Sequence, residues 1–285
     1  MKLIQCLIIC FIILSGCKKD GQQADSLLEQ TYNEVDYGID PAQKMDIYLP
    51  AGRTSETKLL LFIPGDTWSD AEKGAYTAIF SDMEGQGFAI AIMNYRHADA
   101  ASGILFSALA SDVRLALDFL KTKAAGFVFS ENKIIIAGHS AGGHLALYTA
   151  YNNNADNVIK AVISLAGPTD LTNDYFINDF DLNASIENLT GTSFITDPTT
   201  WTNASPITFV NTASPPTLLQ YCFFDVIVPP LQGELLDAEL TAQSVDHQYI
   251  LYSAYEHDMG SIFNAGLFPD DVKQDIYDFI ETHAN

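Results

Sequence analysis

Ile134-Ile135-Ile136-Ala137-Gly138-His139-Ser140-Ala141-Gly142-Gly143-His144-Leu145-Ala146-Leu147 runs from an apolar, β-branched stretch through Gly-x-Ser-x-Gly into a second apolar stretch. The first part predicts a strand buried on both faces, and the second a buried helix. A strand that turns this sharply into a helix strains the backbone of the residue at the turn. Side chains two positions to either side would collide, so Gly138 and Gly142 flank the serine. Ser140 at the apex is therefore the candidate nucleophile.

Outward from this turn, short runs rich in branched and aromatic residues alternate with segments of helical period. This is the pattern of a mostly parallel sheet with helices on both faces. The predicted strands are Tyr32–Tyr37, Lys44–Leu49, Lys58–Ile63, Phe88–Tyr95, Lys133–Ala137, Ile159–Ala166, Thr217–Phe223 and Gln248–Ala254, eight in all. Helical spacing marks Asp70–Gly85 and also Ile104–Ala124, with Leu105, Leu109, Val113, Leu117 and Leu120 on one stripe. It also marks Asp270–His283, which follows Pro269 and opens on an acidic turn. The stretch 168–206 breaks the rhythm. It is rich in Asn, Asp and Thr and carries Tyr175, Phe176, Phe180, Phe194 and Trp201. A connection of that length is expected to be a lid or binding loop, its aromatics serving either as a sugar platform or as the lid's own core.

The elbow, together with Asn94-Tyr95-Arg96, Asp112-Val113-Arg114, Ser205-Pro206-Ile207 and Pro215-Pro216-Thr217-Leu218-Leu219, resembles the α/β-hydrolase superfamily. Within it, the chain is similar to small esterases and carbohydrate esterases related to the hormone-sensitive-lipase group. The likeness runs from about Met45 to the end, and it implies an α/β-hydrolase fold with an eight-stranded, mostly parallel sheet. A serine hydroxyl is a weak nucleophile until an imidazole takes its proton and a carboxylate fixes that imidazole's tautomer. The superfamily order is Ser, acid, His. Asp225-Val226-Ile227-Val228-Pro229 fits the acid segment, and Tyr255-Glu256-His257-Asp258 stands where the family has its histidine. The resemblance thus implies a triad of Ser140, Asp225 and His257. Asp170, ending the preceding strand, is the rival acid. His247 and His283 are expected at the surface, His144 as a packing residue and His139 as the variable position of the elbow.

In the family the oxyanion hole uses the backbone N–H after the nucleophile, here Ala141, and those of a His-Gly-Gly-Gly loop after the third strand. This chain has Ile63-Pro64-Gly65-Asp66-Thr67-Trp68 instead. Backbone donors do not depend on side-chain identity, so Gly65 and Asp66 remain the expected partners of Ala141. That requires the Asp66 carboxylate to face solvent or a loop donor, since beside Ser140 it would oppose the developing oxyanion.

Lys plus Arg number 14 against 36 Asp plus Glu, a formal charge of −22 that repels phosphate backbones and excludes nucleic acid as a partner. Residues 1–16 form a short apolar run after one lysine, too brief to span a bilayer, and read as a secretion signal. Leu14-Ser15-Gly16-Cys17 resembles the bacterial lipobox, which implies a lipid on Cys17, a tether over 17–30, a hydrolase domain over 31–285 and a lipid-anchored place in the cell envelope. Cys6 and Cys10 would leave with the signal, so Cys222 is expected as a free thiol. No metal site or cofactor is expected. The expected partners are a small-molecule or carbohydrate ester and the membrane holding the anchor. The leading reading is a serine carboxylesterase acting through an acyl-enzyme. A non-catalytic ligand-binding lipoprotein, or a peptidase or lipase of the same fold, is the alternative.

Overall fold

The computed structural model describes residues 27–78, 83, 86–261 and 266–283. The predicted signal peptide, Cys17 and the tether up to residue 26 lie outside the described residues. An eight-stranded sheet forms the centre, in the order β1-β2-β4-β3-β5-β6-β7-β8. Its strands are β1 (Gln30–Asp36), β2 (Lys44–Leu49), β3 (Leu59–Ile63), β4 (Ala89–Met93), β5 (Ile134–His139), β6 (Ile159–Leu165), β7 (Thr217–Cys222) and β8 (His247–Tyr252). β2 runs antiparallel to both β1 and β4, and all other pairs are parallel. This is the α/β-hydrolase arrangement, with each predicted strand present to within two residues at either end.

The burial of the strands follows from their place in the sheet. Every residue of β3 and β4 is buried, because a parallel strand covered on both faces offers water no side. Fully burying a Leu, Ile or Phe side chain contributes roughly 1.5–3 kcal/mol, so these two strands alone anchor the sheet. β1, at one edge, is mostly exposed, and its pairing with β2 slips between Tyr32 and Val35, a bulge that blunts an open edge.

One face of the sheet is covered by α1 (Phe106–Phe127), α2 (Ala141–Asn152) and α6 (Leu231–Ala242), the other by α7 (Asp270–His283). The stripe predicted on α1 is the buried one from Leu109 onward, while Leu105 caps the helix and is only half-buried. Between β6 and β7 stand α3 (Asp174–Asn178), α4 (Phe180–Thr190) and α5 (Pro198–Ala204). Asn173, Asp179 and Asp197 cap their N-termini through side-chain oxygens, which accounts for the polar composition of 168–206. Phe176 and Trp201 are fully buried there, as core of this segment, whereas Phe180 is exposed. Of the helix expected over Asp70–Gly85, a 3-10 turn at Lys73–Tyr76 is described, and residues 79–82, 84 and 85 lie outside the described residues. No described helix is long and apolar enough to cross a membrane.

Candidate active site

β3, β5, β7 and β8 all point their C-terminal ends to one side, where the loops of a parallel sheet gather a site. At the end of β5, Ser140 takes φ 53°, ψ −122° before α2 begins at Ala141. A non-glycine residue held there stores about 1–3 kcal/mol of strain. The flanking glycines are required by backbone, not by side chains. A Cβ on Gly138 would lie 2.2 Å from the Gly142 carbonyl oxygen, and one on Gly142 only 1.9 Å from that of Ile63.

Asp225 follows β7 with its side chain fully buried. Its Oδ1 accepts the N–H groups of Ile227 and Val228, both at 2.8 Å, which turns Oδ2 toward His257 Nδ1 at 2.7 Å. A carboxylate only accepts, so Nδ1 carries the proton and Nε2 is left to receive one. That Nε2 lies 2.8 Å from Ser140 Oγ. The structure therefore brings the three predicted residues into one hydrogen-bonded line. Asp170 does not join it, since its Oδ1 accepts from the Thr172 N–H and hydroxyl at 2.9 and 2.6 Å and closes a turn. The carboxylate of Asp258 likewise serves its own turn, through Gly260 N–H.

Two histidines expected at the surface are half-buried instead. His247 pairs with Asp237 of α6 and His283 with Asp246 just before β8, partners that their chain positions do not reveal. His144 is a packing residue as expected, fully buried and bonded at both ring nitrogens. His139 is more than a variable position. Its Nδ1 lies 2.8 Å from the Tyr76 hydroxyl and its Nε2 2.7 Å from the His257 carbonyl. Burial pushes both imidazoles down to about 4, so both are neutral near neutral pH.

The loop after β3 runs through positive φ at Asp66 (113°), Thr67 (44°) and Trp68 (62°), three consecutive non-glycine residues in glycine-type conformations. It thus keeps a path suited to glycine although the glycines are replaced. Gly65, one of the expected oxyanion donors, points its N–H to the Tyr76 hydroxyl and donates to it at 3.3 Å. Its closeness to the elbow still forbids a side chain, since a Cβ would lie 2.6 Å from the His139 carbonyl oxygen. Asp66 is exposed at the cleft, in keeping with a carboxylate turned to solvent.

Two cavities meet at Ser140. An open cleft of about 340 Å³ is lined by Asp66, Asp70, Glu72, Tyr76, His139, Ile227 and His257, with no lysine or arginine among its lining residues. Lys73, within the same turn, is drawn away into a buried ion pair with Asp46 at 3.0 Å. Behind it lies a slot of about 20 Å³ between Trp68, Ala141, Pro168, Phe176, Leu182, Ile186 and Val228. Tyr76 lies in the segment that helical spacing marks, Asp70–Gly85, and nothing local in the sequence distinguishes it. No cluster of three or more His, Cys, Asp or Glu placed to hold a metal occurs among the described residues. Cys222 is a buried free thiol against Met259 Sδ at 3.5 Å.

Esterase LipC of Mycobacterium tuberculosis is 26% identical over 73% of this chain and 54% of its own length. Isoprenylcysteine alpha-carbonyl methylesterase ICME of Arabidopsis thaliana is 20% identical over 80% of this chain and 57% of its own. The chain thus spans about half the length of the curated relatives it matches. Among solved structures, a truncated form of a carbohydrate esterase from gut microbiota superposes with a TM-score of 0.78 at 22% identity, over 91% of this chain and 97% of that one. Residues 45–240, which carry Ser140, Asp225 and the loop after β3, match the BD-FAE family model, and the chain belongs to the BD-FAE family.

Proposed function

We propose that this protein is a serine carboxylesterase that removes a short acyl group from a neutral alcohol, a carbohydrate hydroxyl being the favoured class. The observation that carries the reading is the Ser140–His257–Asp225 line, with contacts of 2.8 and 2.7 Å, at the junction of two cavities. His257 takes the proton of Ser140 Oγ as the oxygen attacks the ester carbonyl, and Asp225 stabilises the imidazolium. The tetrahedral oxyanion receives the N–H groups of Ala141 and Asp66, neither of which has another acceptor among the described residues. His257 then returns the proton to the departing alcohol, and water repeats the sequence to release the acid.

The two cavities divide the substrate. The slot, small and walled mostly by apolar side chains, suits a short acyl group such as acetyl, and the open cleft takes the alcohol. Its three carboxylates and lack of cations disfavour an anionic alcohol. Likeness to a carbohydrate esterase supports a sugar there. The Leu14–Cys17 box, outside the described residues, supports a lipid anchor in the bacterial envelope. The deciding experiment is hydrolysis of p-nitrophenyl acetate and acetylated sugars by the protein and its Ser140→Ala variant, beside fluorophosphonate labelling. Turnover and labelling that vanish together in the variant are the expected result. A folded protein with neither is a ligand-binding relative of these enzymes.

A further inference from the structure

The oxyanion loop holds three non-glycine residues in succession, Asp66, Thr67 and Trp68, at positive φ, so something outside it must hold it. Its carbonyls are fixed by Tyr95, whose hydroxyl donates to Pro64 O at 3.0 Å, and by Ala98, whose N–H donates to Trp68 O at 2.8 Å. Its donor groups are fixed by two imidazoles. At one end Gly65 N–H meets Tyr76 OH, which donates to His139 Nδ1, and His139 Nε2–H donates to the backbone carbonyl of His257. At the other end Trp68 Nε1–H donates to His144 Nδ1 at 3.1 Å, and His144 Nε2–H donates to Ala204 O at 2.8 Å.

The two chains have the same form. Indole only donates and a carbonyl only accepts, so His144 must carry its proton on Nε2. The His257 carbonyl imposes the same tautomer on His139. A neutral imidazole presents one acceptor and one donor on opposite sides of a rigid ring, which is what a link between a loop donor and a fixed carbonyl needs. From these contacts we infer that His139 and His144, bracketing Ser140, are positioning residues that clamp the two ends of the Gly65–Trp68 loop and hold the Asp66 N–H where the oxyanion forms. Neither hydrogen-bonds to Ser140 Oγ or to the ring nitrogens of His257, although the His139 ring packs beside the His257 ring with centroids 5.0 Å apart. Each ties the loop to the elbow itself, so nucleophile and oxyanion donors move as one body, and the His139 link adds the base.

This inference rests on the esterase reading, and its test separates the two. The Trp68–His144 end is the cleaner one, because His139 also touches the backbone of the base. Trp68→Phe deletes the N–H and keeps a smaller aromatic ring in place, His144→Leu deletes the acceptor and the donor, and His144→Gln offers both again. With an acetyl ester, Trp68→Phe and His144→Leu should each lower kcat ten- to a hundredfold while KM stays within twofold. Affinity for an alkylboronic acid, which forms an oxyanion-like adduct on serine, should fall by a similar factor. The double variant should be no worse than His144→Leu alone, and His144→Gln should recover kcat to within a few-fold. Folded variants that keep kcat and boronate affinity overturn the clamp, as do losses in which KM rises with kcat unchanged. If His144→Leu does not fold, Trp68→Phe and His144→Gln decide by the same readings. Wild-type protein that neither hydrolyses the ester nor binds the boronate overturns the esterase reading, and the clamp with it.

Discussion

Asp225 and Asp170 both follow strands of the parallel half of the sheet, and their hydrogen bonds separate them. Asp225 offers one oxygen to two backbone N–H groups and the other to His257, while Asp170 spends its carboxylate on Thr172. Asn at 225 can still accept the two N–H groups, but its amide cannot hold His257 in the tautomer that leaves Nε2 free. Asp225→Asn is therefore expected to fold and to lower kcat about 10⁴-fold, the cost of a wrong tautomer in such triads. Asp170→Asn should stay within a few-fold of wild type. Steady-state rates on p-nitrophenyl acetate decide between them, and the reverse pattern would move the acid to Asp170.

At the scale of elements, the elbow and the helices between β6 and β7 set what the site accepts. Because Gly142 lies under the end of β3, Gly142→Ala drives a methyl group into the Ile63 carbonyl, and backbone cannot yield as a side chain end can. Loss of soluble folded protein, or a cost above about 4 kcal/mol by denaturant titration, is expected from such a clash. The slot beside it is walled by Phe176 of α3 and by Leu182 and Ile186 of α4. Each methylene that fits or fails in an apolar pocket changes selectivity by about 1–3 kcal/mol. Acetyl esters should therefore exceed hexanoyl esters at least tenfold in kcat/KM, and Leu182→Ala, which opens the wall, should narrow that ratio. A flat acyl-length profile in wild type would place the acyl group in the open cleft instead.

Over the whole molecule, acidity and buried histidines govern the response to solution conditions. A net charge of −22 and a cleft rimmed by Asp66, Asp70 and Glu72 should slow esters of anionic alcohols relative to neutral ones. Added salt should close part of that gap, since the screening length is about 8 Å at 0.15 M. Matched neutral and carboxylate-bearing acetyl esters, assayed at low and high salt, measure it, and equal rates at low salt would remove the charge argument. Stability carries a second signature. An unfolded histidine takes up a proton near pH 6.5, while folded His144 resists it until about 4. Between those values the unfolded chain binds more protons, so stability falls as pH falls from about 6.5 to 4, by on the order of 3 kcal/mol for His144. Denaturant midpoints across that range should decline, and His144→Gln should decline less steeply.

Most of the fold, and the place of the candidate nucleophile, are legible along the chain. Strands such as Leu59–Ile63 and Ile134–His139 are apolar throughout because both faces are covered, and a local run records that directly. The Gly138-x-Ser140-x-Gly142 turn is legible for the same reason, its geometry being set by neighbours in the chain, whereas Asp225 and His257 are singled out through the resemblance to the superfamily's Ser, acid, His order. The contacts that folding alone creates join residues far apart in sequence. That Gly65 gives its N–H to Tyr76, that His139 reaches the His257 carbonyl 118 positions away and that His144 joins Trp68 to Ala204 leave no mark on any local pattern. An isolated histidine carries no periodicity, and its role is fixed by the hydrogen bonds that the packed fold brings to its two nitrogens.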